Sequence, residues 1–491
     1  MDLLQASFKN VSDAVKAKKI SATEVTQFFL NRAEKLNPQL NAYIIMNANA
    51  LEDAALVDQK IFKNEATDVL AGVSFGIKDL LCTKGLRTTA ASKILENFIP
   101  PYDATVVARL KKAGAVILGK LNLDEFAMGS SNETSYFGKC KNPWNPDFVP
   151  GGSSGGSASA QAARIAMGTI GTDTGGSIRQ PANFCGVVGI KPTYGRVSRY
   201  GIVAFASSLD QAGPIVSSVE DAAVTLEVIC GQDEKDSTSS SKPVPSFSKN
   251  LSQNIKGMKI GLLKEYEAKG TLHPDIEKTY LRAIEELKKA GAEIVEISIP
   301  MTEFAVPMYY LIAASEASSN LARYDGVKYG FRADMKDLSA TTLEDFYSKT
   351  RGEGFGTEVK RRIMLGTYCL SSGYYDAYYN KACQVRRMLK DQYVEAFTKC
   401  DAILSPVTTS PAFKIGERVY DPLTMYLNDI FTTATNLAGL PGLSVPFGET
   451  KEGLPIGIQL TGSHFEEQKI LNLAWVLESA SSVKEKVPRV Y

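Results

Sequence analysis

The sequence predicts an α/β fold in which helices cover both faces of a mixed, largely parallel central sheet. Two observations support this prediction. Residues 72–77 and 115–118 are apolar runs of strand length, and between them Asp103 is expected to cap a helix. The alternation continues with a helix of small residues at 157–163 and an apolar run at 165–172. Strand and helix patterns that alternate in this way are typical of α/β domains.

The rest of the chain fits one domain over residues 1–491 better than several independent ones, because it shows no internal repeats. The first forty residues predict two amphipathic helices of an outer layer, the second with a capping box at Ser21 and Glu24. A polar, serine- and proline-rich loop is expected at about 231–256, and a helical insertion at about 303–400. The remaining predicted elements are strands at 258–263, 292–299, 402–404, 443–445 and 456–460, and helices at 274–291 and 466–480.

Composition limits the classes of function. Lysine and arginine number 55 against 54 aspartate and glutamate, so the chain has no basic footprint for gripping nucleic acid by itself. Its seven cysteines include no CxxC pair, which argues against a structural zinc site and fits a reducing compartment. No stretch has a signal-peptide pattern or 18 consecutive apolar residues. We therefore expect a cytoplasmic protein that has no metal site and does not span a membrane.

Glycine and serine are concentrated in two stretches, Pro150-Gly-Gly-Ser-Ser-Gly-Gly-Ser157 and Gly171-Thr-Asp-Thr-Gly-Gly-Ser177. They bracket one predicted helix and one predicted strand, so both could lie at the same edge of the sheet. Flexible turns are the simplest interpretation. A phosphate-binding loop is improbable because neither stretch has the GxxxxGK[ST] form.

A nucleophile elbow is a third interpretation, because residues 152–156 match GxSxG. No strand pattern precedes this match, however, and the elbow needs a histidine base. The chain has only His273 and His464, both outside the glycine-rich region and each better interpreted as a surface or packing residue. A hydrolase built on histidine is therefore disfavoured.

A lysine could replace the histidine. Lys78 directly follows the apolar run at 72–77, and desolvation would lower its pKa and leave an amine able to accept a proton. A lone lysine at the end of a strand is more often a solvated charge, so this position needs the support of its neighbours.

Three motifs supply that support, because Gly76-Ile-Lys78-Asp79, the stretch at 150–157 and Gly171-Thr-Asp-Thr-Gly-Gly-Ser-Ile-Arg179 resemble the amidase signature family. The resemblance, with a signature core at about 70–215, implies the amidase signature fold and a Ser-cisSer-Lys arrangement. Ser177 would be the acylated nucleophile, Ser153 the bridging serine after a cis bond from Gly152, and Lys78 the terminal base. The expected oxyanion hole consists of the backbone N–H groups of Thr174, Gly175, Gly176 and Ser177.

Nearly the whole chain resembles one branch of this family, the A subunits of aspartyl/glutamyl-tRNA amidotransferases. The motifs that carry this resemblance lie at 122–129, 315–320, 360–366, 373–378 and 436–442. It implies a glutaminase that supplies ammonia for amidation of Glu-tRNA(Gln), and it leaves Asp-tRNA(Asn) open. Arg362 and Asp429 would bind the α-carboxylate and α-ammonium groups of glutamine. The implied partners are B and C subunits in a heterotrimer, with tRNA bound mainly by the B subunit. No cofactor is expected in this chain, and ATP and Mg are expected in the partner.

Three rival interpretations remain. A stand-alone amidase of the same family would share Lys78, Ser153 and Ser177 and differ in its pocket and partners. A membrane-bound fatty-amide hydrolase is disfavoured because the sequence shows no N-terminal membrane helix. A catalytically silent scaffold subunit belongs to another class of protein, and the complete lysine and serine set argues against it.

Overall fold

The computed structural model describes residues 1–65, 69–266, 272–335, 342–418, 428–483 and 486–488. Eleven strands in these ranges form one sheet. The strands are β1 Tyr43–Met46, β2 Ser74–Lys78, β3 Val116–Leu121, β4 Gly168–Asp173, β5 Val188–Lys191, β6 Gln211–Val216, β7 Lys259–Leu263, β8 Glu293–Ile297, β9 Ala402–Pro406, β10 Gly442–Glu449 and β11 Pro455–Gly462. Their spatial order is β1-β3-β2-β4-β6-β5-β10-β11-β9-β7-β8.

Helices pack against this sheet and against one another. They are α1 Phe8–Lys16, α2 Ala22–Leu40, α3 Ala50–Phe62, α4 Thr105–Lys112, α5 Gly155–Ala162, α6 Arg179–Cys185, α7 Val219–Ile229, α8 Pro274–Lys289, α9 Ala305–Asn320, α10 Leu343–Gly354, α11 Thr357–Leu370, α12 Lys381–Ala396, α13 Thr433–Leu437 and α14 Glu467–Ser479. None of the helices in the described ranges is long and apolar enough to cross a membrane.

The predicted α/β class and the mixed sheet are confirmed, but the expectation of a largely parallel sheet is wrong. Among the described strands, six neighbouring pairs are antiparallel and four are parallel. The residues between β10 and β11, at 450–454, are too few for the crossover that a parallel pair requires. Apolar runs indicate that a strand is buried but not which way it runs, so they could not predict the number of antiparallel pairs.

Most predicted elements are confirmed within a few residues. The capping box at the start of α2 is present, with the Ser21 hydroxyl accepting from the Glu24 N–H at 3.0 Å. The stretch at 231–256 contains no helix or strand, and residues 303–400 contribute α9 to α12. Asp103 does not cap α4, because Ala104 is the N-cap residue and the Asp103 carboxylate instead pairs with Lys111 at 3.0 Å.

Two parallel neighbours position the candidate site. Strand β2 lies between β3 and β4 and runs parallel to both, so β2 and β4 end at the same edge of the sheet. Lys78 is the last residue of β2 and Asp173 the last of β4. The ring centres of Phe8 and Phe75 lie 5.4 Å apart. Both rings pack against Gly168, the first residue of β4, where a side chain would collide with them. The glycine-rich loop after β4 is therefore placed beside Lys78 by the core of the sheet.

Candidate active site

The Lys78 side chain is fully buried, and hydroxyl groups surround its amine. Its Nζ lies 2.8 Å from the Oγ atoms of both Ser153 and Ser154, and 3.0 Å from Oγ1 of Thr172. No carboxylate forms an ion pair with Lys78 among the residues that the structure describes. The amine is thus held by neutral groups that can exchange protons with it or accept its hydrogen bonds.

Burial lowers the pKa of Lys78 to about 7, although the negative charges of Asp124, Asp173 and Asp210 favour its charged form. Desolvation is the larger effect because the amine has lost all contact with water and gained no direct counter-ion. A substantial fraction of the Lys78 side chain is therefore a neutral amine near neutral pH, as a general base requires.

Ser153 lies in the turn that leads into α5, and the Gly152–Ser153 peptide bond is cis, as the family resemblance implies. The Ser153 carbonyl accepts from the N–H of Asp124 at 3.2 Å. A Cβ atom on Gly152 would lie 2.1 Å from Oδ2 of Asp124, so no larger residue fits at this position. Asp124 therefore holds the turn in place through this hydrogen bond and through its close packing against Gly152.

Ser177 ends the loop that follows β4, and its carbonyl accepts from the Ser154 N–H at 3.2 Å. This contact joins the two glycine-rich stretches, as the sequence predicted. Ser177 is 8% exposed, whereas Lys78 and Ser153 are 0% exposed, so Ser177 is the member of the set that a substrate can reach. Its hydroxyl makes no hydrogen bond within the described residues. Catalytic hydrogen bonds often tighten only when substrate is bound.

The expected oxyanion hole is only partly available. The N–H of Gly176 donates to Oδ1 of Asp173 at 2.8 Å, so it is already occupied. The N–H groups of Thr174, Gly175 and Ser177 make no hydrogen bond in the described parts of the chain. The four-donor oxyanion hole stays a prediction: three of its N–H groups are free to donate, and the Gly176 N–H would have to share its hydrogen with Asp173.

The Asp173 carboxylate organises this loop. Besides the Gly176 N–H, it accepts from the Ile178 N–H at 3.1 Å and from Nε and Nη2 of Arg179, both at 3.1 Å. Burial opposes ionisation, yet the guanidinium of Arg179 holds the pKa of Asp173 well below its usual range. Both side chains are completely buried, so the pair forms a charged core for the loop.

Arg179 also ties the loop to residues that are distant in the sequence. It donates to Oε1 of Gln459 at 2.7 Å and to the carbonyl of Thr432 at 3.1 Å. Asn436 in turn donates to Oδ1 of Asp173 at 2.8 Å. Asp173 and Arg179 belong to the motif at 171–179, but the sequence pattern predicted no role for either. Opposite charges six positions apart in a glycine-rich loop were the available signal.

A cavity of about 150 Å³ is lined by Arg362 and by Asp124, whose N–H donates to the Ser153 carbonyl. Its lining includes none of Lys78, Ser153 and Ser177, and Asp429 adjoins it only through Ser130. Arg362 lines it and is fixed by an ion pair from Nε to Glu358 at 2.8 Å. Ser130 lines it too, and its hydroxyl donates to Asp429 at 2.8 Å. Burial raises the pKa of Asp429 to about 7 even though Ser130 and Arg362 favour the carboxylate.

Neither histidine takes part in this arrangement. Nδ1 of His273 accepts from the Asp275 N–H at the start of α8, and Nε2 of His464 lies 2.9 Å from the Ala438 carbonyl. The described residues contain no group of three or more His, Cys, Asp or Glu side chains that could hold a metal ion.

Comparison with known proteins agrees with the geometry. The family model described as Amidase matches residues 24–471. The chain belongs to the amidase family. Its fold is that of amidase structures, including the native peptide amidase of Stenotrophomonas maltophilia, with 31% identity, TM-score 0.82 and 97% coverage of each chain.

Other amidases are more similar. The A subunit of the Bdellovibrio bacteriovorus glutamyl-tRNA(Gln) amidotransferase is 69% identical over 490 residues, which is 100% of each chain. The corresponding protein of Geotalea daltonii is 56% identical over 97% of this chain and 98% of that one. The crystal structure of the corresponding Thermotoga maritima protein has a TM-score of 0.82 at 42% identity, covering 100% of this chain and 99% of that one.

We predict that Asp173→Asn destabilises the protein by about 3–5 kcal/mol, because it leaves the Arg179 guanidinium buried without its counter-charge. Chemical denaturation followed by fluorescence measures the effect as an apparent free energy of unfolding. Glu395→Gln is the matched control, since it breaks an exposed pair with Lys399 and should leave the unfolding midpoint almost unchanged. Equal shifts in the two variants would contradict the structural role of Asp173.

Proposed function

We propose that this chain is the glutaminase subunit of a tRNA-dependent amidotransferase and that it hydrolyses glutamine through an acyl-enzyme on Ser177. The observation that carries the chemistry is the buried amine of Lys78, 2.8 Å from Ser153 in the turn next to the Ser177 loop. End-to-end identity of 69% with the A subunit of a glutamyl-tRNA(Gln) amidotransferase supports glutamine as the substrate.

In the proposed reaction, neutral Lys78 accepts a proton from Ser153, which accepts the proton of Ser177 as Ser177 Oγ attacks the amide carbon. The N–H groups of Thr174, Gly175 and Ser177 donate to the oxyanion that develops on the carbonyl oxygen. The proton then returns through Ser153 to the leaving nitrogen, the C–N bond breaks, and ammonia departs. Water attacks the ester in the second half-reaction, with the same proton relay, and releases glutamate.

Lys78 becomes an ammonium while the tetrahedral intermediate exists, and its surroundings suit both states. Desolvation keeps it neutral before reaction, whereas the negative fields of Asp124, Asp173 and Asp210 stabilise the transient charge. The hydroxyls of Ser154 and Thr172 also hold the amine in place. Neither residue was assigned a function from the sequence. Both position the Lys78 amine and so support the three predicted residues.

Arg362 and Asp429 are proposed to recognise the zwitterionic end of glutamine. The guanidinium of Arg362 lies 5.0 Å from the ring centre of Tyr310 and 5.6 Å from that of Phe205, so its direction is fixed before a carboxylate arrives. Asp429 has its pKa raised to about 7 by burial, and an α-ammonium beside it would return it to the ionised state.

The released ammonia is proposed to serve partner B and C subunits in a cytoplasmic heterotrimer. The B subunit would bind ATP with Mg and hold Glu-tRNA(Gln), and this chain would need no cofactor of its own. The near-neutral balance of 55 basic and 54 acidic residues supports this division, because a chain that held tRNA alone would need a basic surface.

A stand-alone amidase is the second candidate. The structural similarity to the Stenotrophomonas maltophilia peptide amidase, at 31% identity, favours it, because the same catalytic set can serve a different amide. A silent scaffold is disfavoured by the complete Lys78, Ser153 and Ser177 arrangement.

The deciding experiment is ammonia release from glutamine by the complex purified with its native partners. We expect release that ATP and Glu-tRNA(Gln) increase and that Ser177→Ala abolishes, while Ser241→Ala in the exposed loop behaves as the unmodified protein. Circular dichroism of each variant controls for folding. Ser177-dependent cleavage of another amide, without release from glutamine, would assign the chain to the stand-alone amidases.

The pKa of Lys78 gives a pH prediction. Since the neutral amine is the active form, kcat at saturating glutamine should fall about tenfold per pH unit below the pKa of Lys78 in the glutamine complex and level off above it; in the substrate-free site that pKa is about 7. Lys78→Arg should be inactive at every pH because a guanidinium stays protonated. Stopped assays across the range from acidic to mildly alkaline pH measure both. A kcat that stays constant as the pH falls below neutral is incompatible with Lys78 as the base.

Arg362→Lys should raise the KM for glutamine, because an ammonium cannot replace a bidentate, ring-packed guanidinium. The expected loss of about 1.5–3 kcal/mol corresponds to about 10- to 150-fold in kcat/KM. Arg361→Lys is the comparison variant, since Arg361 lines the same cavity and also pairs with Glu358 but is half exposed, so its substitution should have the smaller effect. Steady-state kinetics compare the two. A larger effect at Arg361 would reassign the carboxylate-binding residue.

A further inference from the structure

A second cavity, of about 390 Å³, lies apart from the candidate active site. Helix α12 forms one wall, and residues 437–439 and 464–465 form the opposite wall. Its lining includes none of Lys78, Ser153, Ser177 or Arg362. Cavities of about 300–1,000 Å³ are typical of sites that bind small molecules, so this one has the size of a ligand site.

The charges around this cavity are unbalanced. Arg386, Arg387 and Lys390 of α12 line it, and its described lining contains no Asp or Glu. Lys242 stands over the opposite wall, with its Nζ 4.5 Å from the centre of the Phe465 ring. Three cations therefore line one concave surface, and a fourth lies over the ring of a lining residue.

Little in the described chain neutralises these cations. Arg386 donates to the carbonyls of Leu437 and Ser208 and to the Ser208 hydroxyl, all of which are uncharged acceptors. The Nζ atoms of Lys390 and Lys242 make no ion pair with any described residue. Arg387 pairs through Nε with Asp391, and both of these side chains are largely exposed. The lining residues thus carry a net positive charge. One further carboxylate lies nearby, that of Glu316, which accepts from the Ser208 N–H at 2.8 Å and raises the pKa of the Cys383 thiol.

His464 lines the cavity, and its pKa responds to the surrounding positive charges. Burial lowers the pKa of His464, and the charges of Lys390, Lys191 and Lys242 lower it further. Its Nε2–H donates to the Ala438 carbonyl at 2.9 Å, which orients the ring in this wall and partly opposes the lowering of its pKa.

Backbone geometry marks the same wall. Phe465 has φ 66°, a left-handed conformation that aromatic residues seldom adopt. Its N–H donates to Oγ1 of Thr193 at 2.8 Å, and its ring lies beneath Lys242 and, at 5.2 Å, Arg196. Residues held in such conformations cluster at binding and catalytic sites.

We propose that this cavity binds a phosphate-bearing ligand between the cations of α12 and Lys242. Three cations in the lining and a fourth beside it suit an anion with several charges and several acceptor oxygens, whereas a single carboxylate would engage one guanidinium. Guanidinium and ammonium groups are the usual protein partners of phosphate. The phosphate could belong to a free nucleotide or to RNA, and the two sources share this chemistry.

Isothermal titration calorimetry of the full chain at low salt, without glutamine, tests the proposal with pyrophosphate, ATP and uncharged tRNA as separate probes. We expect at least one probe to bind, and Arg387→Ala with Lys390→Ala to weaken that binding at least tenfold. The matched control is Lys381→Ala with Lys399→Ala, which removes the same charge from exposed positions at the two ends of the same helical segment. The control should change the affinity less than twofold.

The probes also identify the source of the phosphate. Binding of ATP without tRNA indicates a nucleotide, and binding of tRNA without ATP indicates RNA. The proposal is overturned if no probe binds, or if both double variants weaken binding equally, since that is unspecific attraction of anions. It is also overturned if a polyglutamate peptide binds more tightly than every phosphate probe and depends on the same two side chains.

Discussion

The buried ion pair between Asp173 and Arg179 is the constraint on which the rest of the site depends. Removing two charges from water costs several kcal/mol per ion, so such a pair is tolerated only when further hydrogen bonds satisfy both partners. Here N–H groups of the loop backbone and Asn436 donate hydrogen bonds to the carboxylate, while Gln459 and the Thr432 carbonyl accept hydrogen bonds from the guanidinium. The loop that carries Ser177 is therefore held both by its own backbone and by residues from the C-terminal part of the chain.

Three buried lysines show why a lowered pKa alone does not identify a catalytic base. Burial lowers the pKa of Lys120 to about 8 and that of Lys191 to about 7, close to the value for Lys78. Lys120 pairs with Asp79 at 3.7 Å and donates to the Thr88 hydroxyl at 2.8 Å, whereas Lys191 donates to backbone carbonyls. Lys78 has no carboxylate partner among the described residues. It differs from both because one of its hydroxyl neighbours, Ser153, lies in the turn beside the nucleophile loop.

Sequence patterns predicted the features that depend on nearby residues. The capping box of α2, the strand that ends at Lys78 and the helical segment at 303–400 all follow from local periodicity and end signals. Strand direction could not be predicted from local patterns, because the pairing of β4 with β6 and of β5 with β10 joins segments that are distant in the sequence. The role of Arg179 was missed for the same reason, since Gln459 and Asn436 contact it only in the folded chain. The hydrogen bond from the Gly176 N–H to Asp173 depends on the direction of one N–H bond in the folded loop, and no sequence pattern encodes that direction.

The residues proposed for chemistry and those proposed for selectivity lie in different parts of the chain. Lys78, Ser153 and Ser177 lie on the strands and loops of the signature core, whereas α11 in the helical segment supplies Arg362. Tyr310 of α9 and Glu358 of α11 fix that guanidinium, and Asp429 reaches the core through the Ser130 hydroxyl. A change in the helical segment can therefore alter which amide enters without moving Lys78 or its hydroxyl partners. Such a division explains how amidases that share one catalytic set can act on different substrates.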